Sequence, residues 1–198
     1  LQDAKDLPKK WNRPLKSMSD QTKRMENLIH DLLLLAKYET EDLIKVQQTI
    51  DVKVLLKMVC QDARILSREL YGSKNSSSEK LGSDRQQSIE LNCESEAGYK
   101  LIGDERQLYS AFSNIVFNAV KYTPADGDIQ LRWWEDSRGV HLSVTDTGYG
   151  FDPAHIPHLT ERFYRTDPSR ENASGGSGLG LAIVKHVLIN HNGTLEVH

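Results

Sequence analysis

Glycines at 175, 176, 178 and 180 crowd the head of an apolar run, Leu179-Gly180-Leu181-Ala182-Ile183-Val184. Glycine permits φ > 0 and removes the side chains that would hold an anion away, while the helix that follows points the positive end of its dipole at the same place. Such a run can cradle a phosphate, although taken alone it serves equally to cap a helix or to open a Rossmann unit. Asn114 and Asn118 stand four apart, beside apolar residues Leu108, Phe112, Ile115 and Ala119 at helical spacing, and so share a helix face. An amide carbonyl is a hard oxygen ligand suited to Mg²⁺ that brings no further negative charge near a triphosphate. A solitary pair of this kind reads more readily as solvated or capping asparagines. Lys121 and Tyr122 follow with a cation for phosphate and a ring for a base. Asp146-Thr147-Gly148-Tyr149-Gly150 closes an alternating strand, Val140 to Val144. There a carboxylate can accept from an exocyclic amine and two glycines can bring backbone close to a planar ring, or the segment is an ordinary Asp/Gly turn. In Glu161-Arg162-Phe163-Tyr164-Arg165 an aromatic pair is bracketed by arginines; by itself it would be a surface helix end with a buried Phe.

Order and spacing decide between these readings. The Asn pair, the Asp-x-Gly-x-Gly turn, Arg-Phe-Tyr-Arg and the Gly-Gly-Ser-Gly-Leu-Gly-Leu run succeed one another within one short region of the chain. Residues 14 to 198 thereby resemble the catalytic and ATP-binding part of sensor histidine kinases, whose N, G1, F and G2 boxes occur in that order. Within the family, the run from His155-Ile156-Pro157 through Thr160 to Arg165 and on to Lys185-His186 is most similar to the phosphate-regulon sensor kinases.

The resemblance implies an α/β sandwich of the Bergerat (GHKL) type, a mixed sheet with helices on one face, preceded by a helical-bundle helix. It implies ATP with Mg²⁺ as the bound species. Asp146 would hold the adenine amine, with Tyr122 beside the ring and Gly148 and Gly150 giving backbone clearance. Asn118 and Asn114 would hold the metal, and Gly176, Gly178, Leu179 and Gly180 would close on the phosphates. Lys121 and Arg165 would supply charge for transfer of the γ-phosphoryl group, with Arg162 as a helper. The acceptor would be a histidine, for relay to a cognate PhoB-like response regulator in phosphate starvation. The family's acceptor motif is a His followed by an acidic residue and, five positions on, Pro. None of the 7 histidines fits it: His30 precedes Asp31 but leads into Leu32-Leu33-Leu34-Leu35. The acceptor is therefore expected before Leu1, as are the membrane spans of the parent protein, with this piece on the cytoplasmic side. Related ATPases of the gyrase and heat-shock-90 type carry a general-base Glu where this chain has Asn114. An amide cannot take the proton, which implies slow hydrolysis and transfer to protein instead. Two other readings remain, a non-catalytic ATP-binding module that engages a response regulator and a GHKL-type ATPase.

The elements that must position these residues follow from pattern. The chain has 198 residues and a formal net charge of −3, which excludes a general nucleic-acid binder. Its 2 cysteines, Cys60 and Cys93, form no disulfide framework and lack the neighbours of a nucleophile or metal site. Leu15, Met18, Thr22, Met25, Ile29, Leu32 and Ala36 alternate spacings of three and four, the stripe of a bundle helix that needs a second helix or chain. By the resemblance, residues 1–45 are part of a dimerisation and phosphotransfer hairpin that forms a homodimer, with Leu1 to Arg13 as the end of its first helix and the turn. Residues 46–198 are the ATP-binding domain, 73–85 a disordered polar loop and 151–175 the ATP lid. Residues 40–50 are expected to be linker and Val52 to Leu70 a helix. Strands are expected at Ile89–Cys93, Ile129–Trp133 and His141–Val144, the last two joined near Asp136 to Gly139, with Trp133 and Trp134 on opposite faces. Gly193 to Val197 is expected to begin a further strand whose hairpin partner lies beyond the chain.

Overall fold

The computed structural model describes residues 11–40, 48–71, 87–93, 100–166 and 176–198. Along the chain run α1 (Asn12–Thr40), β1 (Gln48–Asp51), α2 (Val52–Tyr71), β2 (Ser88–Cys93), β3 (Lys100–Gly103), α3 (Glu105–Tyr122), β4 (Asp128–Asp136), β5 (Gly139–Asp146), a 3₁₀ turn (Pro153–His158) and α4 (Gly180–Asn190). The proposed loop at 73–85, the segment before Trp11 and the part of the lid from 167 to 175 lie outside the described residues.

Strand β4 is the centre of a three-stranded mixed sheet, parallel to β2 (Ile89 beside Ile129) and antiparallel to β5 (Trp133 beside Leu142). Its alternation buries Ile129, Leu131 and Trp133 against the helices, where Phe112 meets the Trp133 ring edge-on at 6.4 Å. Trp134 emerges on the other face, stacked on His141 at 4.9 Å with the Arg132 guanidinium over its ring. His141 in turn reaches Asp136 at 2.9 Å, and that hydrogen bond, followed by the one from Arg138 N–H, draws the Asp136 carboxyl down to about 2. The Asp136–Gly139 turn closes the hairpin, with Gly139 at φ 134°.

Helices α2, α3 and α4 share one core with that sheet face. α2 contributes Leu55, Leu56, Val59 and Ala63, α3 contributes Leu108, Phe112 and Val116, and α4 contributes Ile183 and Val187. Asp51 ends β1 and caps α2, its Oδ1 accepting from Val54 N–H at 3.1 Å, which is why the helix begins at Val52. The Tyr109 hydroxyl donates to Asp62 and ties α3 to α2; burial and then Asp62 push its pKa up to about 12. Cys60 is a buried free thiol in this core.

Two expectations change. The 40–50 linker holds a strand, β1, which pairs antiparallel with β3 (Thr49 beside Ile102) in a separate two-stranded ribbon. Four residues with one buried side chain, Ile50, give too short an alternation to stand out in sequence. Residues 193–198 have the alternating exposure of an extended segment, with Leu195 against the core, but they join no ladder and are not a strand. Gly193 N–H instead donates to Leu188 O at 2.7 Å and closes the end of α4.

The apolar stripe of α1 divides in two. Leu35 and Tyr38 are buried, with Leu32 and Leu34 packed on the core, so the C-terminal part of α1 lies against α4. Leu15, Met18, Met25 and Ile29 are exposed.

Candidate functional site

α3 is the floor of the site. Asp104 caps it by accepting from Arg106 N–H at 2.9 Å and Gln107 N–H at 3.2 Å, worth about 1 kcal/mol. With Val116, Ala119 and Val120 buried, Asn114, Asn118 and Lys121 are left half-exposed and Tyr122 exposed. The C-terminal end of α3 is pinned by three donors: Gln87 Nε2 to Val120 O (2.9 Å) and Thr123 O (2.6 Å), and the Tyr71 hydroxyl to Thr123 O (2.8 Å).

The Asp146 turn is fastened to that end. Asp146 Oδ1 accepts from Gly148 N–H at 2.8 Å, and Tyr149 N–H donates to Tyr122 O at 3.2 Å. A Cβ on Gly148 would stand 2.7 Å from Tyr122 O and 2.5 Å from Asp146 Oδ1, so only glycine lets the two segments approach. Gly150 has φ 62° and open space around it. Asp146 itself is exposed at the strand end.

The glycine loop meets α3 from the other side. A Cβ on Gly180 would stand 2.6 Å from Asn114 Oδ1, while Asn114 Nδ2 donates back to Ser110 O at 2.8 Å. Asn114 is thus a neutral amide whose oxygen faces the mouth of α4. The same construction on Gly176 comes within 3.9 Å of the Tyr122 hydroxyl. Leu179 is fully buried beneath the loop, and α4 starts with no side-chain cap and no acidic residue in its first turn. Bare N–H groups at a helix mouth, next to an amide oxygen and with no Cβ in the way, suit a phosphate group.

The Arg-Phe-Tyr-Arg segment packs onto this loop. Phe163 N–H donates to Gly178 O at 2.9 Å, and a Cβ on Gly178 (φ 71°) would stand 2.8 Å from Phe163 backbone. Arg165 Nη1 donates to Gly176 O at 3.0 Å. Arg162 stands beside His186, whose pKa is lowered by burial and then by Arg162 and Lys185. Phe163 differs from the buried-Phe alternative: the residue is 54% exposed and its backbone takes φ 64°, a strained value for a residue with a Cβ. Tyr164 is the half-buried member, its hydroxyl 2.6 Å from His155 Nδ1.

Asn114, Tyr122, Asp146, Gly148, Gly176, Gly178 and Gly180 are therefore brought together around α3 and the start of α4, with Asn118 and Lys121 on the same helix as Asn114. Sequence reasoning missed Ser177 and Asp31. Ser177 Oγ accepts from Leu179 N–H at 3.2 Å and its hydroxyl donates to Asp31 Oδ2 on α1 at 2.7 Å. Lys121 also feels Asp31: burial lowers the ammonium pKa, and Asp31 partly restores it. Among the described residues no group of three or more His, Cys, Asp or Glu side chains could hold a metal ion.

A sheet backed by helices, with an uncapped glycine-rich helix mouth facing an Asn-bearing helix, is the fold of a nucleotide-binding ATPase domain. Residues 103–198 match the family model of the histidine kinase-, DNA gyrase B- and HSP90-like ATPases. The chain belongs to the sensor histidine kinases. It is 48% identical, over 100% of its length, to the phosphate regulon sensor protein PhoR of Pseudomonas aeruginosa, and spans 41% of that relative's length. Among solved structures it is similar to full-length ShkA in complex with AMPPNP (TM-score 0.70, 24% identity, 93% of this chain and 35% of that one). It is similar also to histidine kinase ThkA in complex with response regulator protein TrrA (TM-score 0.67, 16% identity, 95% of this chain and 47% of that one). These two likenesses concern the fold.

Proposed function

We propose that this chain is the ATP-binding catalytic part of a phosphate-responsive sensor kinase, which binds Mg-ATP and passes the γ-phosphoryl group to a histidine for relay to a PhoB-like response regulator. The observation that carries this reading is the junction of three sequence boxes at α3: Gly148 against Tyr122 O, Gly176 beside the Tyr122 hydroxyl and Gly180 against Asn114 Oδ1. Asp146 serves the purine amine, with Tyr122 and Tyr149 bordering the base. The uncapped mouth of α4 receives phosphate oxygens through its N–H groups. Asn118 and Asn114 are the donors for Mg²⁺, and the metal would neutralise charge shared among the phosphates. Lys121 adds positive charge at that end. Arg165, now on the Gly176 carbonyl, is within the loop system that the phosphates would reorganise. Phosphoryl transfer asks of this part mainly positioning and charge neutralisation, which matches the side chains present.

Asn114 separates kinase from hydrolase. Its amide donates to Ser110 and offers only an oxygen to the mouth of α4, so it cannot take a proton from water. Residues 46–198 serve as the ATP-binding unit with 151–175 as its lid, and residues 1–45 contribute to a hairpin through which the kinase forms a homodimer. The exposed apolar residues of α1 support that role. Among the described residues no helix is long and apolar enough to cross a membrane, and the reading places this part on the cytoplasmic side of a membrane-anchored parent.

Mixing the chain with Mg-ATP labelled at the γ-phosphate and a separately produced hairpin carrying an acceptor histidine tests the proposal. The hairpin should become labelled, with little phosphate released to water. Rapid steady-state hydrolysis with no labelled hairpin would favour a GHKL-type ATPase, and binding of ATP with neither outcome would favour a non-catalytic module.

A further inference from the structure

The contact between α1 and the glycine loop joins residues 146 positions apart through a carboxylate. Asp31 Oδ2 accepts the Ser177 hydroxyl at 2.7 Å, the short distance of a charge-assisted hydrogen bond, and Ser177 lies between the two loop glycines that face Tyr122 and Phe163. The other carboxylate oxygen is 3.9 Å from Nδ1 of the exposed His30. Lys121, on the last turn of α3, is a cation near enough to this carboxylate for the negative charge to favour its protonated form. One negative side chain therefore holds a hydroxyl inside the glycine loop and attracts the ammonium that the nucleotide reading assigns to the phosphate end.

We infer that Asp31 is a built-in competitor for phosphate, so that α1 docked through Asp31 and a nucleotide held at the glycine loop disfavour each other. The inference rests on the nucleotide reading and adds to it a regulatory contact between the helix and the site. A polyphosphate drawn to Ser177 and Lys121 must displace the carboxylate or stand beside it, and both cost free energy. Linkage then requires the reverse effect: a bound nucleotide weakens the hold of the glycine loop on α1 by the same factor. The helix does not depend on Asp31 for its place, because Leu35, one turn further on the same face, is fully buried. Asp31 can thus report on the site without the whole helix detaching.

Asp31→Asn tests this with little risk to folding. Asn can still accept from Ser177 and loses only the charge, and the Asp31 side chain is 27% exposed. Calorimetric titration of the full chain with ADP should give a dissociation constant about fivefold lower in the variant. Titration with adenosine, which lacks phosphate, should give equal constants in both proteins. In the unaltered chain, hydrogen exchange over residues 28–35 should quicken when ADP is added. An ADP affinity that is unchanged or weaker in Asp31→Asn, or an equal gain for adenosine, overturns the competitor role and leaves the nucleotide reading standing. Failure of both folded proteins to bind ADP overturns the nucleotide reading and this inference together.

Discussion

The two ends of the site are built differently. The proposed purine end is short-range: Asp146, Gly148 and Tyr149 are sequence neighbours, tied by Tyr149 N–H to Tyr122 O and so to an α3 terminus itself pinned by Gln87 and Tyr71. The phosphate end is assembled from α1, α3, the 162–165 segment and α4, and four of its contacts run through side chains: Asp31, Ser177, Arg165 and Asn114. A backbone-to-backbone junction closed over a glycine has less room to yield than contacts made through rotatable side chains of four separate segments. Under the proposed function the site thus pairs a firmer anchor for the base with a more adjustable receptor for charge.

Glycine substitutions break this comparison most directly. Gly148→Val drives carbon into the Tyr122 carbonyl and the Asp146 carboxylate, and backbone there cannot move aside; ADP affinity should fall by roughly 100-fold or more and stability by about 2 kcal/mol. Asp146→Asn keeps an acceptor for Gly148 N–H while removing the charge. A lost charged hydrogen bond predicts about 30-fold weaker ADP binding by calorimetry with the melting temperature nearly unchanged. Gly180→Ala meets only the Asn114 amide, which can rotate, so about tenfold weaker binding with an intact fold is expected. Equal losses for Gly148→Val and Gly180→Ala would erase the distinction between the two ends.

Lys121 gives the contrast a pH signature. Its folded-state pKa lies below the ordinary 10.5 because burial outweighs the help from Asp31. Between the folded value and 10.5 the unfolded chain binds more protons, so the Lys121 contribution to stability rises with pH across that window. ADP affinity moves the opposite way, declining as the ammonium is lost, and it should begin to decline at a lower pH than an exposed lysine would dictate. Lys121→Arg should flatten the decline, while an adenosine titration should not show it. The smallest effect concerns the segment that covers the phosphate end. Phe163→Gly relieves a positive φ at the cost of an exposed ring, and a gain of about 1 kcal/mol, or roughly 2–4 °C in Tm, is expected by thermal denaturation.

Much of the site could be read from sequence because its chemistry is local. Asn114 with Asn118, Asp146 with Gly148, and Gly176 with Gly178 and Gly180 each lie within one turn or one loop, where spacing determines geometry. The strands β2, β4 and β5 were legible for the same reason, since β4 alternates exposed and buried from Asp128 to Trp133. The ribbon of β1 and β3 was not, because four-residue strands carry almost no period and their pairing spans the whole of α2. Asp31 was invisible for a related reason: on α1 it reads as one polar residue in a solvated face, and only folding brings Ser177 to it. Gly193 to Val197 shows the opposite error, since its strand-like alternation survives as exposure without a ladder.

His191 fixes how α3 and α4 are joined. Its Nε2 accepts Asp104 N–H at 3.1 Å and its Nδ1 faces Val187 O at 2.8 Å, while a Cβ on Gly103 would strike the imidazole at 2.6 Å. The start of α3 is thereby bolted to the finish of α4, with Asn190 and Gln107 adding a second tie. The two helices run antiparallel from this tie, and the glycine mouth sits at the other end of α4, where Leu179 is fully buried and Gly180 packs on Asn114. α4 is thereby clasped to α3 at both ends, by an imidazole at one and by a glycine contact at the other.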